Sequence, residues 1–274
     1  MIIADFHTHT NFSTDSQASP SDMIEKAISL GLKKYCITDH MDYLYPHGEA
    51  GNFTFDVKEY WKNLNELKER YKNQIELLIG VELGLRNEPE KKEEIRAYYR
   101  SLTKEYPFDF VLGSTHVLGN FDPYIKEFWD QRTTTEGLTQ YFHSIAHNAA
   151  YYEMFQVYGH LDYIIRYVLD EVKNYNVSDY QDLIDEMLKA IIANGKGIEC
   201  NTSGFKYQLG FPHPKQEILK RYRELGGELL TIGSDGHRPE HIAYDFKMAG
   251  ELLLDLGFKY YTVYKEQKPT MIQL

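Results

Sequence analysis

Seven short apolar runs, at residues 2–6, 35–38, 77–83, 108–114, 155–158, 197–201 and 229–233, alternate with stretches whose apolar residues recur at three- and four-residue spacing. Buried strands interleaved with amphipathic helices favour a parallel sheet under helical cover, either a doubly wound open sheet or a closed β/α barrel. Periodicity alone does not choose between them. The helical stretches carry start and stop signals. Ser19-Pro20-Ser21-Asp22 is a cap with proline at the first helical position, and that helix ends at Gly31. Asp56 with Glu59 resembles a capping arrangement ahead of Tyr60, Trp61, Leu64, Leu67 and Tyr71, and Ser178 with Gln181 opens a third stretch that runs to Gly195. Pro214 and Pro239 sit near the starts of later helices. A last apolar run, 260–264, fits an eighth strand, an edge strand or a surface-packed tail.

A chain of 274 residues is long enough for two small domains or one large barrel. No Gly/Ser- or Pro-rich linker and no repeat divides it, so a single domain over 1–274 is expected. The 41 acidic residues against 30 Lys and Arg give a formal charge of −11, which repels a phosphate backbone and argues against nucleic acid as a partner. No apolar run reaches membrane-spanning length, and the first residues lack the basic and apolar regions of a signal peptide, so a soluble cytoplasmic protein is expected, with no membrane partner. Cys36 and Cys200 lie in apolar runs and read as buried hydrophobes rather than a disulfide or zinc finger.

Nearly every expected strand ends in a histidine or carboxylate: Asp5-Phe6-His7-Thr8-His9, Thr38-Asp39-His40, Gly80-Val81-Glu82, Ser114-Thr115-His116, Gly159-His160 and Ser234-Asp235-Gly236-His237. In a β/α barrel the C-terminal strand ends share one mouth, so side chains far apart in sequence meet there. His7 and His9 are two apart on a strand, so both imidazoles project to one side and suit one ion. Nitrogen and oxygen ligands without thiolate suit Zn, Mn or Fe at a hydrolytic site, and a carboxylate such as Glu82 is able to bridge two ions ~3.5–4 Å apart. A single strand-end histidine is more often a hydrogen-bonded residue than a ligand; six ends of the same chemistry are hard to assign to chance. His47, His143, His147, His213 and His241 fall in loops or on helical faces and read as structural or solvated. His143 and His147 are four apart, but the glutamate that follows the first histidine in a metalloprotease helix is absent.

These motifs, with Asp15, Gly159-His160-Leu161-Asp162 and Glu199-Cys200-Asn201-Thr202-Ser203-Gly204, resemble the polymerase and histidinol phosphatase (PHP) superfamily over nearly the whole chain, and within it the monofunctional histidinol-phosphate phosphatases. The resemblance implies a distorted (β/α)7 barrel and a centre of three divalent metal ions. By position, His7, His9, Glu82 and Asp235 are expected to hold one ion, Glu82, His116 and His160 a second, and Asp15, His40 and His237 the third. Many superfamily members have histidine where this chain has Asp15. Arg166 and Lys206 fall where those phosphatases place basic phosphate-binding residues; relatives often have Arg at the second position, and Lys206 keeps the charge without the bidentate fork.

The expected reaction is hydrolysis of L-histidinol phosphate, a small-molecule phosphomonoester, to L-histidinol and phosphate. A hydroxide shared by two ions attacks phosphorus, and the third ion with Arg166 and Lys206 stabilises the phosphate oxygens. Glu82, Asp235 and His237 are the candidate catalytic residues, and His237 and Asp42 candidate proton donors to the leaving alkoxide. Asp42, Tyr43, Tyr45 and Phe121 are loop candidates for contact with the amine and imidazole. Alternatives are a PHP phosphodiesterase or nuclease, a protein-tyrosine phosphatase, an amidohydrolase, whose usual bridging lysine is replaced by Glu82, and a metal-binding scaffold without turnover.

Overall fold

The computed structural model describes residues 2–46, 53–130, 132–168 and 174–274; His47 lies outside them. In chain order the strands are β1 (Ala4–Asp5), β2 (Lys34–Ile37), β3 (His40–Met41), β4 (Glu76–Gly84), β5 (Phe110–Ser114), β6 (Val157–Tyr158), β7 (Gly197–Asn201), β8 (Leu230–Gly233), β9 (Tyr260–Lys265) and β10 (Lys268–Gln273). The helices are α1 (Pro20–Ser29), α2 (Val57–Tyr71), α3 (Lys92–Glu105), α4 (Lys126–Trp129), α5 (Thr134–Tyr151), α6 (Gln181–Ala193), α7 (Ser203–Lys206), α8 (Gln216–Glu224) and α9 (Phe246–Asp255).

The parallel order β1-β2-β4-β5-β6-β7-β8 takes in all seven expected strands. Its two ends meet through a parallel bridge between Thr8 and Gly236 and through backbone bonds from Phe6 N to Ile232 O (3.0 Å), Asp235 N to His7 O (2.8 Å) and His9 N to Gly236 O (2.9 Å). That closure makes the sheet a barrel rather than an open doubly wound sheet. The distortion is visible in β1 and β6, two residues each, and in β3, which resumes the line of β2 after Thr38-Asp39 and pairs only with β4. In that register His40 lies opposite Glu82.

The helix signals work as read in two cases. Ser19 accepts from Asp22 N ahead of Pro20, with Gly31 at φ 78° beyond the end, and Asp56 accepts from Lys58 N and Glu59 N. Ser178 does not cap a helix: it lies inside a 3-10 turn, Val177–Tyr180, that leads directly into α6. The run at 260–264 is neither an eighth barrel strand nor an unpaired tail. It is β9, paired antiparallel with β10 in a two-stranded sheet off the barrel path. The hairpin is anchored where Tyr261 Oη accepts from Ile3 N (3.1 Å) and Thr262 Oγ1 accepts from Leu230 N (3.1 Å).

Two of the 23 tyrosines tie helices to the sheet. Tyr60 on α2 brings its buried hydroxyl to the carbonyls of Ile37 (3.1 Å) and Gly80 (2.8 Å), and Tyr99 on α3 to those of Met41 (2.8 Å) and Gly84 (2.9 Å). Phenol rings thus fill the helix–sheet layer while their hydroxyls satisfy strand carbonyls at the irregular junction around β3. Both cysteines are buried and free, as expected. Among the described residues, no helix is long and apolar enough to cross a membrane.

Candidate metal centre

The mouth at the C-terminal strand ends is organised around one carboxylate. Glu82, near the end of the long strand β4, is fully buried and surrounded by imidazoles. Its Oε2 lies 3.3 Å from His7 Nε2, 3.5 Å from His9 Nε2 and 2.8 Å from His40 Nδ1. Its Oε1 lies 3.1 Å from His160 Nε2 and 3.3 Å from His116 Nε2, and accepts from Ser114 Oγ at 2.6 Å. The two oxygens therefore face different sets of nitrogens. Burial works to raise the Glu82 carboxyl, but His7, His116 and His40 outweigh it and hold the group well below the usual carboxylate range.

Asp235 completes the first set, its Oδ1 3.5 Å from His9 Nε2 and 3.9 Å from His7 Nε2. It occupies the left-handed region at φ 51°, a conformation costly for a non-glycine residue and common where a side chain is aimed into a site. Beyond it, Asp15 Oδ2 is 3.0 Å from His237 Nε2 and 3.7 Å from His40 Nε2. The His9 ring stacks between those of His40 and His237, at 4.1 and 4.2 Å between centroids. All nine expected ligands thus converge; Asp15 is the exposed member.

The surroundings decide which imidazole nitrogen faces inward. His7 Nδ1 donates to Glu199 Oε1 at 2.7 Å, and His116 Nδ1 to Asp42 Oδ1 at 2.8 Å, which turns Nε2 of each toward Glu82 as the nitrogen open to a cation. His7 Nε2 and His9 Nε2 are buried without a hydrogen-bond partner, and His40 Nδ1 and His237 Nε2 approach the Glu82 and Asp15 carboxylates, at 2.8 and 3.0 Å, without hydrogen-bond geometry. Inward-facing, unpartnered nitrogen and oxygen atoms on either side of a carboxylate are what divalent cations require, and the thiolate-free set suits Zn, Mn or Fe. The donor set fits a metal centre. The ligand atoms of His7, His9 and Glu82, of Glu82, His116 and His160, and of His9, His40 and His237 each lie within 4.8 Å of one another.

Three acids absent from the expected site organise it. Glu199, in the middle of β7, holds His7 with one oxygen and accepts from His160 N (3.0 Å) and Asn201 Nδ2 (3.0 Å) with the other. Gly233 on β8 lets this pair approach, since a Cβ there would strike His7 and Glu199. Asp39 accepts from Thr10 N (2.6 Å) and Ser13 Oγ (2.6 Å), pinning the loop toward Asp15, and Asp5 accepts from Ser234 Oγ (2.6 Å) and Ala243 N (3.0 Å) at the barrel seam. Asp5 and Glu199 are acids within short apolar strands, and Asp39 follows β2 after Thr38.

Above the carboxylates opens a cavity of about 740 Å³, within the range of small-molecule sites. Arg166 and Lys206 line it, with Asp42, Tyr45 and the unanticipated Phe53 and Asp122. Arg166 Nη2 is 3.2 Å from Asp235 Oδ2, and its guanidinium lies 4.4 Å from the Tyr207 ring centroid. Lys206 Nζ donates to the Asp235 carbonyl at 3.0 Å, and burial brings the amine down to about 8. Tyr43 and Phe121 do not line the cavity; Tyr43 stacks on Tyr98 and bonds Glu94 (3.0 Å) instead. His143 and His147 are exposed on α5. His241 sits at the cavity wall, and His213 is buried behind Arg166.

Residues 5–203 match the PHP domain family model. The chain belongs to the PHP domain family. Among its PHP relatives, the probable histidinol-phosphatase of Clostridium acetobutylicum is 36% identical over 94% of this chain and 95% of its own length. The histidinol-phosphatase of Lactococcus lactis is 30% identical over 93% and 91%. The crystal structure of histidinol phosphate phosphatase from Lactococcus lactis, complexed with zinc, L-histidinol and phosphate, superposes with a TM-score of 0.87 at 29% identity, covering 97% of this chain and 98% of that one.

Proposed function

We propose that this PHP protein is a metal-dependent phosphomonoesterase that hydrolyses L-histidinol phosphate to L-histidinol and inorganic phosphate. The observation that carries the reading is Glu82, one buried carboxylate whose two oxygens face separate sets of imidazoles beneath a cavity lined by Arg166 and Lys206. Likeness over nearly full length to proteins named histidinol-phosphatase, one of them crystallised with zinc, L-histidinol and phosphate, supports the choice of substrate.

His7, His9, Glu82 and Asp235 are the residues to hold one ion, Glu82, His116 and His160 a second, and Asp15, His40 and His237 a third. Divalent ions held by these residues would supply Lewis acidity, activating water and offsetting charge on the phosphate oxygens. Arg166 and Lys206 bind the nonbridging oxygens and turn the ester phosphorus toward the carboxylates, Arg166 through a planar edge and Lys206 as a point charge. Asp42 orients His116 through its Oδ1, which makes it a positioning residue as well as part of the cavity wall. His237 has Nδ1 3.1 Å from the Asp235 carbonyl and Nε2 toward Asp15, so its ring offers Nε2 as a ligand and carries no proton for the leaving oxygen. Tyr45 and Asp122, joined at 2.7 Å, offer an aromatic face and a carboxylate to the cationic half of the substrate.

The test is phosphate release by protein loaded with Zn or Mn from L-histidinol phosphate, p-nitrophenyl phosphate, a phosphodiester and a phosphotyrosine peptide. Histidinol phosphate is expected to give the highest kcat/KM, with activity lost on chelation. Preference for the diester or the peptide, or activity indifferent to chelation, refutes the reading.

A further inference from the structure

His213 lies outside the nine candidate ligands, yet it is fully buried and has a defined partner on each ring nitrogen. Its Nδ1 is 2.6 Å from Asp162 Oδ1, and its Nε2 is 3.0 Å from Arg166 Nε. An arginine is always a donor, so Nε2 accepts and Nδ1 carries the hydrogen that Asp162 takes. Asp162 is itself fixed, its Oδ2 accepting from Tyr175 Oη (2.7 Å) and Lys215 N (3.0 Å). The His213 backbone pairs both ways with Asn201 at the end of β7, 2.8 Å in each direction, so the ring is tied to the barrel wall. Burial, and Arg166 after it, take this imidazole down to about 4, which keeps it neutral and able to accept.

We propose that His213, held in one tautomer by Asp162, is a positioning residue that sets the guanidinium of Arg166 for the phosphate group. The chain of contacts runs Asp162, His213, Arg166 and then the cavity. Ser203 Oγ and Asp235 Oδ2 meet the same guanidinium at Nη2 and Tyr207 covers it, so His213 fixes the Nε side of a group gripped from several directions. Without an acceptor at Nε, the long side chain regains rotamer freedom and its planar edge is no longer presented in one orientation. The inference rests on the phosphatase reading only in taking phosphate as the ligand, so its test uses inorganic phosphate and does not depend on which ester is cleaved.

His213→Leu is expected to weaken inorganic phosphate, read as a competitive Ki and by calorimetry on the zinc-loaded protein, by about tenfold, with bound zinc unchanged. His213→Gln, which places an amide oxygen near the Nε2 position, is expected to recover most of that loss. Asp162→Asn is the sharper variant. Tyr175 Oη and Lys215 N require an acceptor at one end of the amide, which turns its NH2 toward His213 Nδ1 and moves the ring hydrogen to Nε2, against Arg166 Nε. Nitrogen-15 spectra of the full-length metal-free chain are expected to show His213 protonated on Nδ1 in the parent protein and on Nε2 in Asp162→Asn, a readout independent of turnover. In an Arg166→Ala background, neither His213→Leu nor Asp162→Asn is expected to weaken phosphate further. Undiminished effects in that background, no rescue by glutamine, or a His213 hydrogen on Nε2 in the parent protein overturn the proposal.

Discussion

Exchanging Glu199 for glutamine changes one atom and reverses the logic of the first ligand. In the parent protein Glu199 Oε1 accepts from His7 Nδ1 at 2.7 Å while Oε2 accepts from His160 N and Asn201 Nδ2, each at 3.0 Å. In Glu199→Gln the amide oxygen is needed where two donors converge, so the NH2 faces His7 Nδ1 and drives the ring hydrogen to Nε2, which points at Glu82 Oε2 3.3 Å away. Binding a cation on Nε2 then requires the amide to turn over, at the expense of two buried hydrogen bonds of about 1 kcal/mol each, or about 2 kcal/mol in all. That corresponds to roughly thirty-fold weaker metal binding, inside the 10–100-fold range usual for groups that orient a ligand histidine. Competition of the protein with a fluorescent zinc chelator measures the affinity directly. At saturating zinc, kcat is expected to return to within about threefold of the parent value. Unchanged zinc affinity refutes the tautomer reasoning, and so does a loss of kcat that excess zinc does not restore.

Glu82→Gln removes the carboxylate shared by both sets of imidazoles, so bound metal measured by mass spectrometry is expected to fall and phosphate release to drop by at least a thousandfold; near-parent activity contradicts its role. Arg166→Ala is expected to keep its metal and raise KM and phosphate Ki by about tenfold or more, since it removes a charged hydrogen-bonding edge, and Lys206→Ala to do the same more weakly; metal loss in either variant counts against the assignment. The stability of the metal-free protein is expected to fall as pH drops from 6.5 to about 4. Over that window the unfolded chain protonates His213 while the folded state keeps it neutral, so unfolding takes up a proton. Urea midpoints of His213→Gln are expected to lose pH dependence worth about 3 kcal/mol across this window, and an identical slope in both proteins contradicts the burial argument.

The repeated placement of histidine and acid at strand ends was legible because a barrel carries all C-terminal strand ends to one mouth. His7, His9, His40, Glu82, His116, His160, Asp235 and His237 meet there from six strand ends, and two-residue alternation suffices to turn His7 and His9 the same way. Closure of the sheet was not legible from periodicity, because an open sheet and a barrel place the same pattern on each strand, and only the β1–β8 seam distinguishes them. The positioning roles of Glu199, read only as part of a motif, and of His213, read as structural or solvated, were not legible for a different reason. Their partners, His7 and Arg166, are 192 and 47 residues away, and a carboxylate inside an apolar run or a histidine in a loop has no local signature for such pairing. β10 was missed because it opens on Lys268 and Pro269, both strand-poor, and its residues are mostly exposed; pairing with β9 supplies what the composition does not.

Anomalous diffraction from crystals of the zinc-loaded protein places the metal against Glu82 without recourse to kinetics. Expected are one ion between Glu82 Oε2 and the His7 and His9 nitrogens, a second between Oε1 and the His116 and His160 nitrogens, and a third beside Asp15 and His237. An anomalous map with no ion at either Glu82 oxygen, or with ions on one side of that carboxylate alone, contradicts a bridged centre.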